Sequence, residues 1–439
     1  MDTFFQLPDI ETLHLYRPGG LHPVHLGDRF YDGRYEVLRK LGAGGYATVW
    51  LVRDHILGVF SALKILKADA DGREIAILRR VQELNSDYIV RVLHIFEHVG
   101  PNGTHQCVVM EVLGPSIATV EDDLLYEDVY PSESFPLKVA QSMALQTARA
   151  LEDLHRANIV HGDITKRNVL FFSPAIQTWT ADDDLPKYSG AITVQTRPIL
   201  MGTGNNDPAP PSIHRPAYVV HATSSQTLID VCFADDDHVR VKLCDFGEAY
   251  FYDPPIPTQR RLHTPPSYCS PEILLHLPVS PAADVWALGV LFHDLISAGS
   301  PLFLGIRKRE PDFVLVGMVL RRGKLPDAVW PAWNTRGTYF DEDGAWIGAQ
   351  ADMPSAIEPG MPVSARIYKY LYPGEMTQFE GLIRRMTDFD AHTRASIQEC
   401  VELLSNLWPA DPSGVVEADP FTNSTPAQHV DKSQAASQH

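Results

Sequence analysis

The sequence predicts an α+β chain of two lobes, a small β-rich lobe over residues 35–113 and a larger, mainly helical lobe over 114–408. The first is read from runs of β-branched, aromatic and other apolar residues punctuated by glycines and one Asn-Gly pair. The second is read from a stretch after Leu137 in which apolar or small residues stand at 140, 143, 144, 147, 148, 151 and 154, the spacing of one buried helix face. The third observation is chemical: the decapeptide His161 to Leu170, HGDITKRNVL, sets an Asp and an Asn five apart between two apolar runs. A carboxylate at Asp163 can accept the proton of an acceptor hydroxyl, and the amide oxygen of Asn168 can hold a magnesium ion on phosphates.

Composition narrows the setting. With 439 residues, 44% hydrophobic and 21% charged, the chain can build a two-lobed enzyme with a sizeable core. No apolar run is long enough to cross a bilayer, and the amino terminus MDTFFQLPDIETLHLY lacks a basic segment before an apolar one, so neither a membrane partner nor a secretory signal is expected. The scattered cysteines Cys107, Cys232, Cys244, Cys269 and Cys400 suit reduced thiols and an intracellular, cytoplasmic location. Entry into the nucleus is left open, because Arg307-Lys-Arg309 is too short to count as a signal. A net charge of -18 provides no basic field to replace phosphate counterions, which argues against direct nucleic-acid binding. Basic partners are compatible with that charge, as is a plain solubility role. The chain shows no internal repeat, and a monomer is expected.

In order along the chain, residues 1–34 read as an ordered lead-in that packs on the lobe behind it. Tyr35 to Leu51, YEVLRKLGAGGYATVWL, then gives two β-rich runs joined by glycines at 42, 44 and 45. Small residues let backbone N–H groups approach phosphate oxygens, and Tyr46 at the tip can cover them. Val59 to Leu66 is a strand with one lysine among apolar neighbours, and a buried ammonium needs a partner. Glu74, in the helical run 72–81, can hold Lys64 while the lysine binds phosphates. Two more strands, IVRVLHIFEHV and THQCVVMEVL, are joined at Asn102-Gly103, a hairpin signal. Met110 and Glu111-Val-Leu113 follow where the strand leaves the small lobe; Met110 fits a core filler as well as a ligand contact.

The helix from Leu137 ends near Asn158 and delivers the HGD loop, in which His161 reads as a packed, structural histidine. Residues 173–238, with seven prolines, are too long for an ordinary loop and read as an insertion, flexible over about 177–210 and more ordered through YVVHAT and TLIDVCFA. His238 to Leu243 then alternates as a strand and runs into Cys244-Asp-Phe-Gly247, making Asp245 the second magnesium-ligand candidate. Ser270-Pro-Glu272 closes the next segment, and Ser280-Pro281 opens a helix carrying Val285, Leu288, Phe292 and Ile296 on one face. Asp284 in its first turn can bind N–H groups of the HGD loop or simply complement the helix dipole. Loop-rich sequence over about 331–364, Arg394 and a closing helix to Trp408 complete the lobe, and the polar tail 409–439 reads as disordered.

The HGD loop alone resembles both protein kinases and small-molecule kinases of the aminoglycoside type. With the glycine loop, Lys64, Glu74, DFG, Ser270-Pro-Glu272, Asp284-Val-Trp286 and Arg394 in one order, the chain resembles a eukaryotic protein kinase over about 35–408, and so the two lobes imply its bilobal fold. GLHPVHLGDRF, GPNGTHQCVVMEVLGPSI and the insertion before DFG look most like the SR-protein kinases, Ser/Thr kinases acting on basic Arg/Ser-rich proteins such as splicing factors. The resemblance implies ATP and Mg2+ as cofactors. It implies catalytic roles for Asp163, Lys64 and Glu74, and nucleotide contacts at Leu41, Gly42, Ala43, Gly44, Gly45, Val49, Ala62, Lys64, Met110, Glu111, Leu113, Asn168, Leu170 and Asp245. Asn168 and Asp245 would hold the metal, and Glu272 should pair with Arg394.

The departures carry expectations of their own. Ala47 replaces the third loop glycine, and DFG stands where DLG is common among SR-protein kinases. Gly162 replaces an arginine that often binds a loop phosphate, so activity is expected without phosphorylation of Thr258 or Thr264. Thr165 occupies the place of a lysine that steadies the γ-phosphate; Lys166, one position later, is the candidate to act in its stead. The accompanying loop threonine looks displaced, Thr264 standing four residues before Tyr268. A scaffold that binds ATP or partner proteins without efficient catalysis is the competing class, kept open by Thr165 and Ala47.

Overall fold

The computed structural model describes residues 10–127, 135–180, 185, 188, 196–199, 209–222, 226–234, 239–253, 263–297, 302–303, 310–349, 371 and 373–409. Expectations for Thr258, for the 307–309 basic triplet and for the tail beyond 409 fall outside these residues, as does part of the stretch 177–210.

The small lobe is a six-stranded antiparallel sheet. Its strands are β1 (Arg29–Phe30), β2 (Tyr35–Ala43), β3 (Ala47–Asp54), β4 (Val59–Leu66), β5 (Val92–Gly100) and β6 (Gly103–Met110), in the order β1-β2-β3-β4-β6-β5. Alternation sends Val37, Trp50, Val52, Leu63, Ile65, Cys107 and Val109 to one face, where they are covered by Val24 and Phe30 of the lead-in and by Val220 of the insertion. Pro101 and Asn102 turn the β5–β6 hairpin between the paired Gly100 and Gly103, and Gly103 opens β6 at φ 130°, where a side chain would be strained. Helix α1 (Arg73–Leu84) crosses beside β5 and buries Ile75, Ile77, Leu78 and Val81. The lead-in is fastened by a buried ion pair between Glu11 and Lys40 on β2, and the Tyr16 hydroxyl donates to the same Glu11 carboxylate. Burial opposes charge on Lys40 and lowers its pKa, while Glu11 offsets part of that cost.

The large lobe is built on α3 (Leu137–Arg156), preceded by α2 (Ile117–Glu127). The positions at helical spacing, Ala140, Met143, Ala144, Thr147, Ala148, Leu151 and Leu154, are all buried. Asn158 takes φ 58° to end that helix and lead into β7 (Ile159–Val160). Beyond the HGD segment come β8 (Val169–Phe172), α4 (Pro174–Gln177), β9 (Thr196–Pro198), β10 (Tyr218–Val220), α5 (Gln226–Cys232), β11 (Arg240–Leu243) and β12 (Tyr250–Phe251). The insertion is thus partly structured, β9 pairing antiparallel with β10. It also reaches the small lobe: Ile199 and Val219 pack with Ile10, Leu13, Tyr16 and Leu21 of the lead-in.

Among the described residues, the segment after DFG is followed by the helices α6 (Pro271–Leu274), α7 (Ala282–Ile296), α8 (Pro311–Arg322) and α9 (Pro373–Met386), before α10 (Ile397–Leu407). The sequence suggested one buried face on α7. The structure buries nearly every side chain from Ala283 to Ile296, because α3, α9 and the turn at Pro266–Tyr268 all pack on it. Helix α10 opens with a reciprocal cap, Ser396 Oγ accepting from the Glu399 N–H and the Glu399 carboxylate accepting from the Ser396 N–H.

Candidate active site

In-register pairing builds the small-lobe wall of the cleft. Val49, Lys64 and Val108 stand side by side across β3, β4 and β6, as do Leu51, Ala62 and Met110. Leu41 and Gly42 are half-buried near the end of β2, whereas Ala43, its last residue, and Gly44 and Gly45 of the turn to β3 are exposed. The Gly44 N–H donates to the Ala47 carbonyl at 2.9 Å, which closes the turn. None of Gly42, Gly44 and Gly45 has positive φ, and a Cβ at any of them would meet no atom of the chain within 4 Å. Neither packing nor backbone conformation therefore demands glycine here. The demand fits a phosphate chain brought close to the backbone, where a Cβ would intrude.

Lys64 lies mostly buried and donates to Glu74 Oε1 at 2.5 Å and to Asp245 Oδ1 at 3.0 Å. Burial opposes its charge, but the Asp245 and Glu74 carboxylates outweigh burial and raise its pKa, which favours the ammonium form. Lys64 in turn is the first cause of a lowered Asp245 pKa. The consecutive elements β4 and α1 are thereby joined at one point to the segment after β11, which is remote in sequence.

The HGD segment is held from below. Asp284 accepts from the N–H groups of His161 and Gly162 at 2.7 and 2.8 Å, and His155 Nε2 lies 3.1 Å from the same carboxylate. Of the two roles open for Asp284, it takes the one that shapes the loop. His161 is fully buried, its Nε2 3.2 Å from the Cys244 carbonyl and its ring packed on Phe246 at 5.3 Å, which makes it structural as expected.

Asn168 Nδ2 donates to the Asp163 carbonyl at 2.8 Å and to Asp163 Oδ2 at 2.6 Å. That leaves Asn168 Oδ1 available as a metal-ligand oxygen. Asp163 Oδ1 is buried and has no hydrogen-bond partner among the described residues. A buried, unpartnered carboxylate oxygen is costly unless something donates to it, and an acceptor hydroxyl would. Burial is the main cause of a raised Asp163 pKa; His161 and Asn168 pull it down, and the Asp245 and Glu248 carboxylates push it up.

Cys244 N–H donates to the Asn168 carbonyl at 2.9 Å, which ties the DFG segment to the HGD loop. Asp245 takes φ 64°, a left-handed conformation that Asp tolerates, and its Oδ1 accepts from the Gly247 N–H at 3.3 Å. Leu170 on β8 pairs with Lys242 on β11 and forms part of the large-lobe floor. An oxygen-rich pair, Asp245 and Asn168, on one side of a cleft whose other side carries Lys64 fits a hard divalent cation together with a nucleoside triphosphate. The groups of the cleft therefore match Mg2+ and ATP as a set.

Lys166 requires a correction. Its ammonium is 2.7 Å from Glu121 on α2 and 3.8 Å from Asp294 on α7, and it is half-buried between them. It braces the loop against two helices and takes no part in the Lys64–Asp245–Asp163 constellation. The cause is visible in the partners: burial pushes Asp294 up to about 6 and also raises Glu121, and Lys166 opposes both shifts. Thr165 is buried, and Arg167 is the exposed cation of this loop. The displaced threonine does reach the loop, Thr264 donating its hydroxyl to the Gly162 carbonyl next to Asp163.

The segment where β6 leaves the small lobe was legible only in part. Glu111, expected at the nucleotide, keeps its carboxylate for a buried ion pair with Lys242 at 2.7 Å and for the Arg91 N–H at 2.7 Å. With its N–H donating to the Arg91 carbonyl at 3.1 Å, the main-chain group of Glu111 left for a ligand is its carbonyl. Lys242 looked like one position of an alternating strand, and nothing in the spacing announced its partner.

A family model described as protein kinase domain matches residues 35–177 and 231–404. The Saccharomyces cerevisiae serine/threonine-protein kinase SKY1 is 36% identical over 174 residues, 36% of this chain and 23% of that protein. Protein kinase dsk1 of Schizosaccharomyces pombe is 37% identical over 171 residues, 36% of this chain and 30% of that protein. The chain thus spans under a third of the length of either relative. The serine/threonine-protein kinase SRPK of Physarum polycephalum is 27% identical over 412 residues, 88% of this chain and 89% of that protein.

Proposed function

Because this chain belongs to the protein kinase family, we propose that it transfers the γ-phosphate of ATP to Ser or Thr hydroxyls of basic, Arg/Ser-rich proteins. The observation that supports transfer most is the joining of Lys64, Glu74 and Asp245 in one ion-pair cluster beside an Asp163 held by Asn168. Bound magnesium would neutralise charge on the phosphates, with Asn168 Oδ1 and Asp245 as its protein oxygens. Lys64, fixed by Glu74, holds the phosphates in line. The glycine turn supplies N–H donors above them. Asp163 orients the acceptor hydroxyl and takes its proton at Oδ1.

Two features support basic substrates: the net charge of -18 and the likeness to SR-protein kinases in the lead-in and hinge segments. A cytoplasmic site of action belongs to the same reading. Transfer is also expected without prior loop phosphorylation. The Thr264 hydroxyl is buried and already spent on the Gly162 carbonyl, and Gly162 stands where a phosphate-binding arginine would be needed. Phosphatase-treated protein should turn over at the untreated rate; loss of activity on treatment would contradict this.

The test of function is transfer of labelled γ-phosphate from Mg-ATP to an Arg/Ser-repeat peptide and to a generic basic protein, comparing wild type with Asp245→Asn. Labelling of the repeat peptide that is lost in Asp245→Asn is the expected result. Labelling of the generic protein alone would remove the substrate class and keep the kinase. Binding of Mg-ATP with no transfer to either would leave the scaffold.

A further inference from the structure

The insertion after β8 begins with a feature that the reaction does not explain. Ser173 and Pro174 start the single-turn helix α4, and Gln177 at its end donates from Nε2 to the Val112 carbonyl at 2.7 Å. Val112 is the middle residue of the Glu111–Leu113 hinge. The rest of the hinge is also held by other parts of the chain. Glu111 is fixed by Lys242, the Gly114 N–H donates to Phe171 at 2.8 Å, and the Phe171 N–H donates to Pro115 at 2.9 Å. At Gly114 a Cβ would come within 2.6 Å of Cys232 Sγ on α5, so the backbone there is pressed against the insertion.

The same short segment is anchored on the other lobe. Trp179, two residues on, is buried and packs edge-on against Tyr188 at 5.0 Å; Tyr188 packs edge-on against Phe60 of β4 at 5.6 Å. Arg53 of β3 donates to the Thr180 carbonyl at 3.2 Å. Gln177 therefore sits on a strut that leaves the large lobe at β8 and ends on the small-lobe sheet. What the hinge leaves for a ligand is the Glu111 carbonyl and the Leu113 N–H, neither hydrogen-bonded to the chain among the described residues.

An acceptor followed by a donor matches the 6-amino group and N1 of adenine and opposes the O6 and N1–H of guanine. Rotation of the peptide units around Val112 would spoil that order. We propose that Gln177 is a positioning residue for the nucleotide: by holding the Val112 carbonyl outward it fixes the Glu111 carbonyl and Leu113 N–H toward the base and so sets both affinity and base selectivity. The insertion is then part of the nucleotide site as well as a spacer. This rests on the kinase reading for the identity of the nucleotide.

The test uses the full chain and reads Mg-ATP and Mg-GTP dissociation constants, together with the ATP KM and kcat on a basic peptide. Gln177→Leu, close in size and without a donor, should weaken Mg-ATP about three- to tenfold, the size of one lost neutral hydrogen bond. The ratio of ATP to GTP affinity should fall, while kcat and the peptide KM stay within about twofold. Gln177→Lys, which restores a donor, should recover most of the loss. Unchanged ATP affinity and unchanged base selectivity in Gln177→Leu would overturn the proposal. So would an equal loss in kcat and both KM values, since that is general destabilisation. A wild type that binds neither nucleotide would overturn the kinase reading itself, whereas wild-type binding with an unaffected Gln177→Leu variant would remove only the hinge role.

Discussion

Asp163→Asn protein is expected to bind Mg-ATP like wild type and to lose about 10²–10⁴-fold in kcat, the usual contribution of a positioned general base. The substitution leaves the shape of the side chain and keeps an oxygen to accept from Asn168 Nδ2, now 2.6 Å from Asp163 Oδ2. What it removes is the ability of the buried Oδ1 position to take a proton. The wild-type pH profile should show the matching signature. Burial raises the Asp163 pKa, so the base ionises at a higher pH than an exposed Asp would, and kcat/KM should fall on acidification earlier than an exposed Asp would predict. That acid limb should vanish from the small activity left in Asp163→Asn. Thermal shift with Mg-ATP reports binding, and single-turnover transfer reports chemistry. A variant within a few-fold of wild type would assign the proton to another group.

Arg394→Met should have the largest effect on stability, about 3–5 kcal/mol, because it strands a buried carboxylate. The Arg394 side chain is wholly buried, donates to both oxygens of Glu272 at 2.6 and 3.1 Å, and also donates to the carbonyls of Ala282 at 2.8 Å and Asp388 at 2.9 Å. Ala282 opens α7, two residues before Asp284, so the same loss loosens the aspartate that shapes the catalytic loop. Urea unfolding followed by tryptophan fluorescence measures it directly. The paired change Glu272→Leu with Arg394→Met should recover much of the stability, since an apolar pair leaves no charge unsatisfied. A single variant as stable as wild type would show that the pair contributes nothing.

How much of this was legible before the structure depends on the range of the interaction concerned. Where a signal is local, the residues carried it. The helical spacing on α3 named seven positions, all of them buried, and the Asn102-Gly103 pair marked a hairpin, whose turn the structure places one residue earlier, at Pro101-Asn102. The glycine turn, the HGD loop and DFG each stand at a strand end because close backbone approach, a carboxylate and a turn are needed within a few residues of one another. Glu272 with Arg394 was legible through the family resemblance, although 122 residues separate them.

Other features are settled by docking, which no local pattern encodes. Asp284 had two possible roles until α7 was seen under the catalytic loop. Lys166 read as a substitute for a missing lysine, yet Glu121 and Asp294 arrive from two helices and take its charge. Glu111 finds Lys242 across 131 residues, Lys40 finds Glu11 in the lead-in, and Gln177 finds the hinge carbonyl from the start of an insertion whose sequence announced no partner. Sequence periodicity determined which faces are apolar and where the chain turns, because those depend on neighbours three or four residues away or on the residue itself. Which buried charge or polar group meets which was decided only by tertiary structure, because the cost of leaving such a group unpaired is met by whatever element the fold brings beside it.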